Sequence, residues 1–450
     1  MKTNSVTEKT FGREQIIRIV IAAIAIALTY VFTAFVNITL PIAINGGLIH
    51  LGNVPLFLFA ILFGKKVGAL AGGIGMGLFD LLSPWAIWAP FTLVIVGLMG
   101  FVVGLISEKK NERFYLFIDE VQLTGKVVDK ENGGIEISIY DMLNELRAYK
   151  NLDVYVTGSN SKGLSKDIAT EFRGRATQIH VFPLSFEEFY SHTGGNEGEA
   201  LNAYMLYGGM PRLLTLTDEK DKKDYLSSLY SELYIKDIVE RNGIEREDIL
   251  NDILDFLASQ ISSLTNPTNI ANALTSMKTE KVNSTLVSNY VQHIIDSFLI
   301  SMAKRYDVKG KSYFKYPNKY YYTDIGLRNA RLNYRQFDPG HIMENIIYNE
   351  LLRLGYSVDV GVVTDRTGGA NVQKEIDFIV NNADKKIYIQ SAFRMDTDKK
   401  EYSELTSLML TKDFFKKIIV RMDIPHNFYD NNGIFHCNLI DLLLGRVELF

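Results

Sequence analysis

The sequence predicts an α-helical membrane bundle fused to an α/β soluble region, and three observations carry that prediction. Between Ile19 and Ser107 the only charged residues are Lys65, Lys66 and Asp80, an apolar stretch far longer than one helix of a soluble protein. Directly after it, Phe114-Tyr-Leu-Phe-Ile runs into Asp119 and Glu120, the pattern of a short buried strand with acids at its carboxyl end. Near the C-terminus a helical stretch bearing Glu344 and Glu350 is followed by strand-like Glu375-Ile-Asp-Phe-Ile-Val and Lys386-Ile-Tyr-Ile-Gln. A mean hydropathy of +0.03 therefore averages two unlike parts.

Charge divides the chain at the same place. Residues through Lys110 hold eight Lys or Arg against four Asp or Glu. The rest hold forty against forty-eight, so the soluble part is acidic at −8 within a whole-chain charge of −4. An acidic soluble part excludes a general nucleic-acid coat. The single cysteine, Cys437, excludes an internal disulfide and a multi-cysteine zinc site, as in a reducing compartment. A cleaved signal peptide fits poorly, because the apolar run from Ile16 to Leu40 exceeds a signal core and further apolar segments follow.

After a cytoplasmic N-terminus (1–14), residues 15–110 predict about four spans, near 15–40, 48–64, 66–82 and 86–107. Arg13 and Arg18, then Lys65 and Lys66, then Lys109 and Lys110 all fall on one side. Both ends of a multi-pass protein of the cell membrane are thereby placed in the cytoplasm, with the C-terminal domains. The outer loops are Pro41 to Gly47 and Ser83 to Ala86. Small residues recur at four-residue spacing (Ala23 and Ala27, Gly68 and Gly72, Gly73 and Gly77, Gly100 and Gly104), which lets helix backbones approach closely in lipid. Asp80 is expensive in hydrocarbon and must face a cavity or the interface. Trp85 and Trp88 read equally as interfacial anchors or as aromatic walls of a pocket, and His50 and Asn53 converge on the same mouth.

The ordered runs His50-Leu-Gly-Asn-Val-Pro-Leu, Gly64-Lys-Lys-Val-Gly-Ala-Leu-Ala-Gly-Gly-Ile-Gly-Met-Gly-Leu-Phe-Asp80, Trp88-Ala-Pro-Phe and Gly97-Leu-Met-Gly resemble the substrate-binding S component of energy-coupling-factor (ECF) vitamin transporters. The resemblance covers roughly residues 15 to 108. It implies a vitamin-like ligand near the outer face, with His50, Asn53, Asp80, Trp85 and Trp88 as candidate substrate positions. It also implies partners: a transmembrane coupling (T) subunit with its ATPases, docked through Ala23 and Ala27. Members of that family have six spans, and about four here leave the pocket incomplete.

The soluble region adds a second strand, Asp153-Val-Tyr-Val-Thr-Gly-Ser-Asn160, and two guanidiniums in Glu171-Phe-Arg-Gly-Arg175. Acids at a strand end, small polar residues and arginines in this order suit a nucleotide's magnesium and phosphates. Taken alone, the first strand also reads as a buried strand that merely ends in two acids. With Pro183-Leu-Ser-Phe-Glu-Glu-Phe189 and Tyr207-Gly-Gly-Met-Pro-Arg212, the order resembles an AAA-type ATPase family of bacteria and archaea, from about Phe114 to the C-terminus. By that resemblance Asp119 and Glu120 are the Walker B pair, with Asp119 holding magnesium, Asn160 is the sensor, and Arg173 or Arg175 is a trans-acting finger. A P-loop of the form G-x-x-x-x-G-K-(S/T) occurs nowhere, and membrane helix stands where it would precede Walker B. ATP and magnesium thus enter by analogy only. No tightly bound cofactor and no ATP hydrolysis by this chain alone are expected from the partial core (111–230).

Residues 231–335 read as helices followed by a β-rich stretch, a winged-helix-like module. Basic residues do not cluster on one of its helices, so a lid or an oligomer contact is favoured over DNA binding. In 336–450 the order of helix Glu344, strand Asp377 and strand Gln390 resembles the restriction-endonuclease-like fold, whose carboxylates hold magnesium. The lysine that should follow two positions after Gln390 is Ala392, which favours a degenerate fold used for contacts. Three readings stay open. One is a transport-related S component carrying ATPase architecture, another a membrane-anchored ATPase-family interaction protein completed by a partner's P-loop. The third is a junction at Lys110 left by gene fusion, deletion or assembly error.

Overall fold

The computed structural model describes residues 13–40, 47–108, 113–121, 127–129, 135–137, 139–149, 151–158, 176–278, 280–310, 312–315, 317–366 and 371–450, in two compact units that meet between Thr157 and Gly158.

The first unit opens with α1 (Arg13–Phe35). The expected first span to residue 40 ends early: Asn37–Leu40 (β1) pairs antiparallel with Gly47–His50 (β2). Val36, Ile38 and Thr39 are β-branched, and Pro41 forces the residue before it into extended backbone, so the helix cannot continue. The next helix accordingly starts later than expected, as α2 (Asn53–Phe63). Gly64 at φ 87° then breaks the chain into α3 (Lys65–Leu70), a π-helical turn Ala71–Met76 and α4 (Gly77–Leu81), before α5 (Ala89–Glu108).

Glycines set the spacing of these helices. A Cβ on Gly68 would fall 2.4 Å from the carbonyl oxygen of Gly100, and one on Gly104 2.3 Å from the backbone nitrogen of Lys65. Gly72 and Gly73 meet Val96 and Leu93 in the same way. Among the described residues one helical stretch, Ala86–Ser107, is long and apolar enough to cross a membrane; Ile19–Phe35 and Asn53–Phe63 are apolar but shorter.

The unit continues through β3 (Phe114–Ile118), an antiparallel hairpin of β4 (Val127–Asp129) and β5 (Ile135–Ile137), α6 (Ile139–Leu146) and β6 (Leu152–Val156). Strands β3 and β6 pair in parallel. One face of this pair is bare: Phe117 is 70% exposed and stacks on Tyr155 at 5.1 Å. Parallel sheets are ordinarily covered on both faces.

The second unit begins with helices. Ser185 and Glu188 form a reciprocal cap that starts α7 (Phe186–Thr193), and Asn196 caps α8 (Glu197–Tyr207). After α9 (Glu219–Ser228), α10 (Lys236–Asn242) and α11 (Glu247–Ser259), Asn266 and Pro267 start α12 (Pro267–Met277), and Asn283 caps α13 (Ser284–Asp296). The strands β7 (Ile300–Ala303), β8 (Arg305–Asp307), β9 (Ser312–Tyr313) and β10 (Lys319–Tyr322) follow, then α14 (Ile325–Arg331) and α15 (Pro339–Arg353). The C-terminal part adds β11 (Ser357–Asp365), β12 (Val372–Asn382), β13 (Lys385–Ala392), α16 (Asp398–Met409), β14 (Lys416–Arg421), β15 (Phe428–Tyr429), β16 (Phe435–Asn438) and α17 (Leu439–Leu443).

β7 pairs antiparallel with β10, whereas β8 and β9 join an eight-stranded mixed sheet in the order β15-β16-β14-β13-β12-β11-β8-β9. That sheet therefore takes strands from both sides of residue 336. One buried core, including Leu201, Leu254, Ile294, Tyr321, Ile347 and Phe378, links the helices to the sheet.

Candidate functional site

The densest group of buried charge in the second unit centres on Lys319, the first residue of β10. Helix α15 is fixed against that strand because Asn345 bonds both backbone groups of Tyr322, accepting from its N–H and donating to its carbonyl, each at 2.7 Å. Asn349, one turn on, donates to the carbonyls of Tyr322 and Thr323 at 2.8 and 3.1 Å. This clamp brings Glu344 onto Lys319. On β12, Glu375 and Asp377 are two residues apart and share a face.

The Lys319 ammonium consequently donates to Glu344 Oε1 at 2.8 Å and lies 2.7 Å from Glu375 Oε1 and 3.4 Å from Asp377 Oδ1. Tyr321 OH donates to Glu344 Oε1 at 2.8 Å, and the Ser391 N–H to Asp377 Oδ2 at 2.9 Å. Gln390 Oε1 accepts from the Asp377 N–H at 3.3 Å, and its amide bonds Glu404. The side chain of Lys319 is only 4% exposed.

Burial alone would strip Lys319 of its proton, but Glu344, Asp377 and Glu375 outweigh it and hold the ammonium well above its ordinary range. Burial and the neighbouring Glu344 push Asp377 up to about 7, against the pull of Lys319. Burial and then Asp377 push Glu404 up to about 7 as well. The magnesium implied by the nuclease-like resemblance does not fit these residues. The ammonium stands at the focus of the carboxylates, and among the described residues no three His, Cys, Asp or Glu side chains are arranged to hold a metal. Glu344, Asp377 and Gln390 are brought together as their order in the sequence implies. Lys319, Glu375, Tyr321 and Glu404 belong to the same cluster and were not picked out by sequence.

In the first unit Asp119 and Glu120 lie at the carboxyl end of β3. Glu120 holds a left-handed backbone, φ 48°, rare for a side-chain-bearing residue. Thr157, at the end of β6, secures this turn: its hydroxyl donates to the Asp119 carboxylate and accepts from the Glu120 N–H at 3.2 Å. Asn160, Arg173 and Arg175 lie outside the described residues.

Among the N-terminal helices the Asp80 carboxylate accepts from the Thr92 hydroxyl, and His50 lies within its electrostatic reach. The His50 Nδ1 accepts from the Gly52 N–H at 3.3 Å, beside Asn53 at the start of α2. A Cβ on Gly52 would meet Thr33 Oγ1, so α1 passes directly against this turn. Thr29, one helical turn before Thr33 and fully buried, has a hydroxyl with no hydrogen-bond partner. Trp88 is 52% exposed and packs on Phe91 at 6.0 Å, whereas Trp85 is half-buried. Ala23 and Ala27 both lie exposed on α1.

Residues 13–124 match the family model of the ECF-type riboflavin transporter S component, residues 98–190 that of an AAA domain, and residues 198–338 that of a domain of unknown function. The first two matches overlap at residues 98–124. An uncharacterized protein of Haemophilus influenzae is 36% identical over 351 residues, 76% of this chain and 80% of that protein. An uncharacterized protein of Methanocaldococcus jannaschii is 27% identical over 326 residues, 65% of this chain and 71% of that one. A thiamine precursor transporter of Lactococcus lactis is 30% identical over 101 residues, 22% of this chain and 60% of the transporter, less than two thirds of its length.

Proposed function

Because this chain belongs to the family of the Haemophilus influenzae protein and carries an ECF S-component segment followed by an AAA domain, we propose that it is a multi-pass membrane protein that binds a vitamin or vitamin precursor. In this reading the S-component-like bundle (15–110) holds the ligand near its outer face. The remainder, a partial ATPase core (111–230) followed by a winged-helix-like part and a nuclease-like part without nuclease activity, joined by the sheet that runs across residue 336, lies on the cytoplasmic side. Ligands of the thiamine-precursor class come first, from the name of the Lactococcus lactis relative.

The observation that carries the reading is the Asp80–Thr92 pair set among apolar helices, with His50 in reach and an unpartnered Thr29 hydroxyl close by. An acid retained in such surroundings marks a ligand or ion site. Ala23 and Ala27 on the open face of α1 offer the coupling subunit a flat surface. The exposed ring of Trp88 suits an interfacial anchor better than a pocket wall.

The purified protein is expected to bind thiamine, its pyrimidine precursor, riboflavin or pyridoxine in equilibrium dialysis, with binding lost in Asp80→Ala. Absence of binding to all four would sink the transport reading. For the ATPase-derived region, no ATP hydrolysis above background is expected, since no P-loop exists to seat the phosphates. Turnover by the purified chain would require a phosphate-binding loop of another kind.

The bare aromatic face of β3 and β6 favours a second reading, in which the junction near Lys110 removed the elements that should cover this sheet. Long-read sequencing across codons 100–120, together with detection of the full-length protein in membranes, separates a genuine fusion from a junction artefact.

A further inference from the structure

The turn between β12 and β13 and the loop from α16 to β14 project from the same end of the eight-stranded sheet. Strands β13 and β14 start there side by side in parallel, Ile387 opposite Lys416 and Tyr388 opposite Lys417. Phe414, at the tip of that loop, is 107% exposed, more than any other large apolar residue described. We propose that this tip docks on the anionic lipid surface of the membrane that anchors the chain, with the Phe414 ring entering the headgroup layer. The inference rests on the membrane reading above.

The loop is built to hold Phe414 outward. Phe415 turns in: its ring meets that of Tyr388 edge-on at 6.2 Å, and the Lys386 ammonium lies 5.4 Å from its centre. Asp413 turns in as well. Its Oδ2 accepts from Tyr388 OH at 2.6 Å, and its backbone carbonyl accepts from Lys417 Nζ at 2.7 Å. With both neighbours fixed, the Phe414 ring stands in water, and an apolar or interfacial medium removes the cost of that exposure. Met409, on the last turn of α16 and 48% exposed, adds a second apolar group beside the loop.

Charge identifies the partner. Residues 382–386 and 411–417 hold five lysines against two aspartates, a local +3 in a soluble part that is otherwise acidic. Of the two acids, Asp413 is held inward and Asp384 is exposed; Lys385 and Lys412 are exposed and enter no ion pair among the described residues. An anionic leaflet attracts lysines of this kind. A convex tip carrying one ring is far smaller than the roughly 800 Å² per partner of a stable protein interface, whereas a fluid headgroup layer needs no shaped complement. The covalent link to the bundle keeps the tip within reach of a bilayer at all times, so that even a weak affinity populates the docked state.

The test uses the full chain reconstituted in nanodiscs of phosphatidylcholine, alone or with phosphatidylglycerol. The Phe414→Cys variant carries an environment-sensitive fluorophore; Cys437 is buried, so the label goes to position 414. Tyr429→Cys, at a 64% exposed position on β15, carries the same label as a control. In discs with phosphatidylglycerol the label at 414 is expected to be quenched by nitroxide lipids and shielded from iodide, and the control label is not. Each lysine near an anionic leaflet is worth about fivefold, so Lys385→Ala and Lys412→Ala are each expected to lower the inserted-to-free ratio about fivefold. Equal insertion in uncharged discs, or a ratio unchanged in the double lysine variant, would overturn the proposal. So would a label at 414 open to iodide while brominated lipids quench Trp85 and Trp88, a result that leaves the membrane reading standing. Tryptophans unquenched in the same discs would remove both. Shielding that also appears in detergent and rises with protein concentration would assign the tip to a second copy of the chain instead.

Discussion

Lys319→Met is expected to destabilise the second unit by about 3–5 kcal/mol at pH 8, the cost of leaving buried carboxylates without their counter-charge. Methionine keeps the length and fills the volume of the lysine stem, so the loss reports the charge and not a cavity. Glu344, Glu375 and Asp377 all rest against that ammonium. Without it, each carboxylate raises the proton affinity of the others, and the cluster takes up protons as the pH falls. The loss is therefore expected to shrink at pH 5.

The unaltered protein carries a related signature. Asp377 and Glu404 have folded values near 7, above the ordinary carboxylate range. Their contribution is complete below the unfolded value near 4 and is lost as pH rises through 7, so stability from these groups declines between pH 5 and pH 8. Urea midpoints followed by far-ultraviolet circular dichroism at the two pH values measure both effects. A Lys319→Met loss of equal size at pH 5 and pH 8 would show that the ammonium's charge is not what matters.

The second large effect is expected from Gly100→Val. A Cβ there would lie 2.1 Å from the Gly68 carbonyl oxygen, and the reciprocal distance is 2.4 Å. Both obstacles are backbone, so no rotamer change relieves them and the helices must separate. Overpacking of this kind costs about 1–3 kcal/mol or more, and helices in lipid lack the hydrophobic drive that would hold them together at a greater distance. Trp85 and Trp88, the chain's two tryptophans, both lie in this bundle, so their fluorescence in detergent follows its melting directly. Leu98→Val, at a position 60% exposed on the same helix, is the matched control and is expected to change little. An unchanged melting temperature for Gly100→Val would mean that α3 and α5 do not pack as described.

The comparison of these two sites shows what one sequence can reveal. Apolar runs, small-residue spacing and turn-forming Gly and Pro are local, and they located the helices, although the β1–β2 pairing took the end of the first expected span and the start of the second. Glu344, Asp377 and Gln390 were legible because their order on one helix and two strands resembles that of the restriction-endonuclease-like fold. Lys319 was not. It precedes Glu344 by 25 residues, and in Lys319-Tyr-Tyr-Tyr it reads as the exposed member of an edge strand. The available hint was the tyrosine run itself, which lacks the polar alternation of a half-exposed strand. The capture of β8 and β9 by the C-terminal sheet depends on long-range pairing that no local signal encodes. The hairpin of Val127–Asp129 and Ile135–Ile137 did have a signal, short alternating strands around Asn132-Gly-Gly, that passed unread.

The Lys319 cluster carries a consequence for how this unit lives in the cell. Related carboxylate arrangements depend on a diffusible cation, and their integrity follows its supply. Here the counter-ion is covalently part of the chain, delivered at synthesis in fixed stoichiometry. The charge balance of this cluster is thereby carried by the chain itself: neither chelation nor magnesium starvation removes the ammonium that balances these acids.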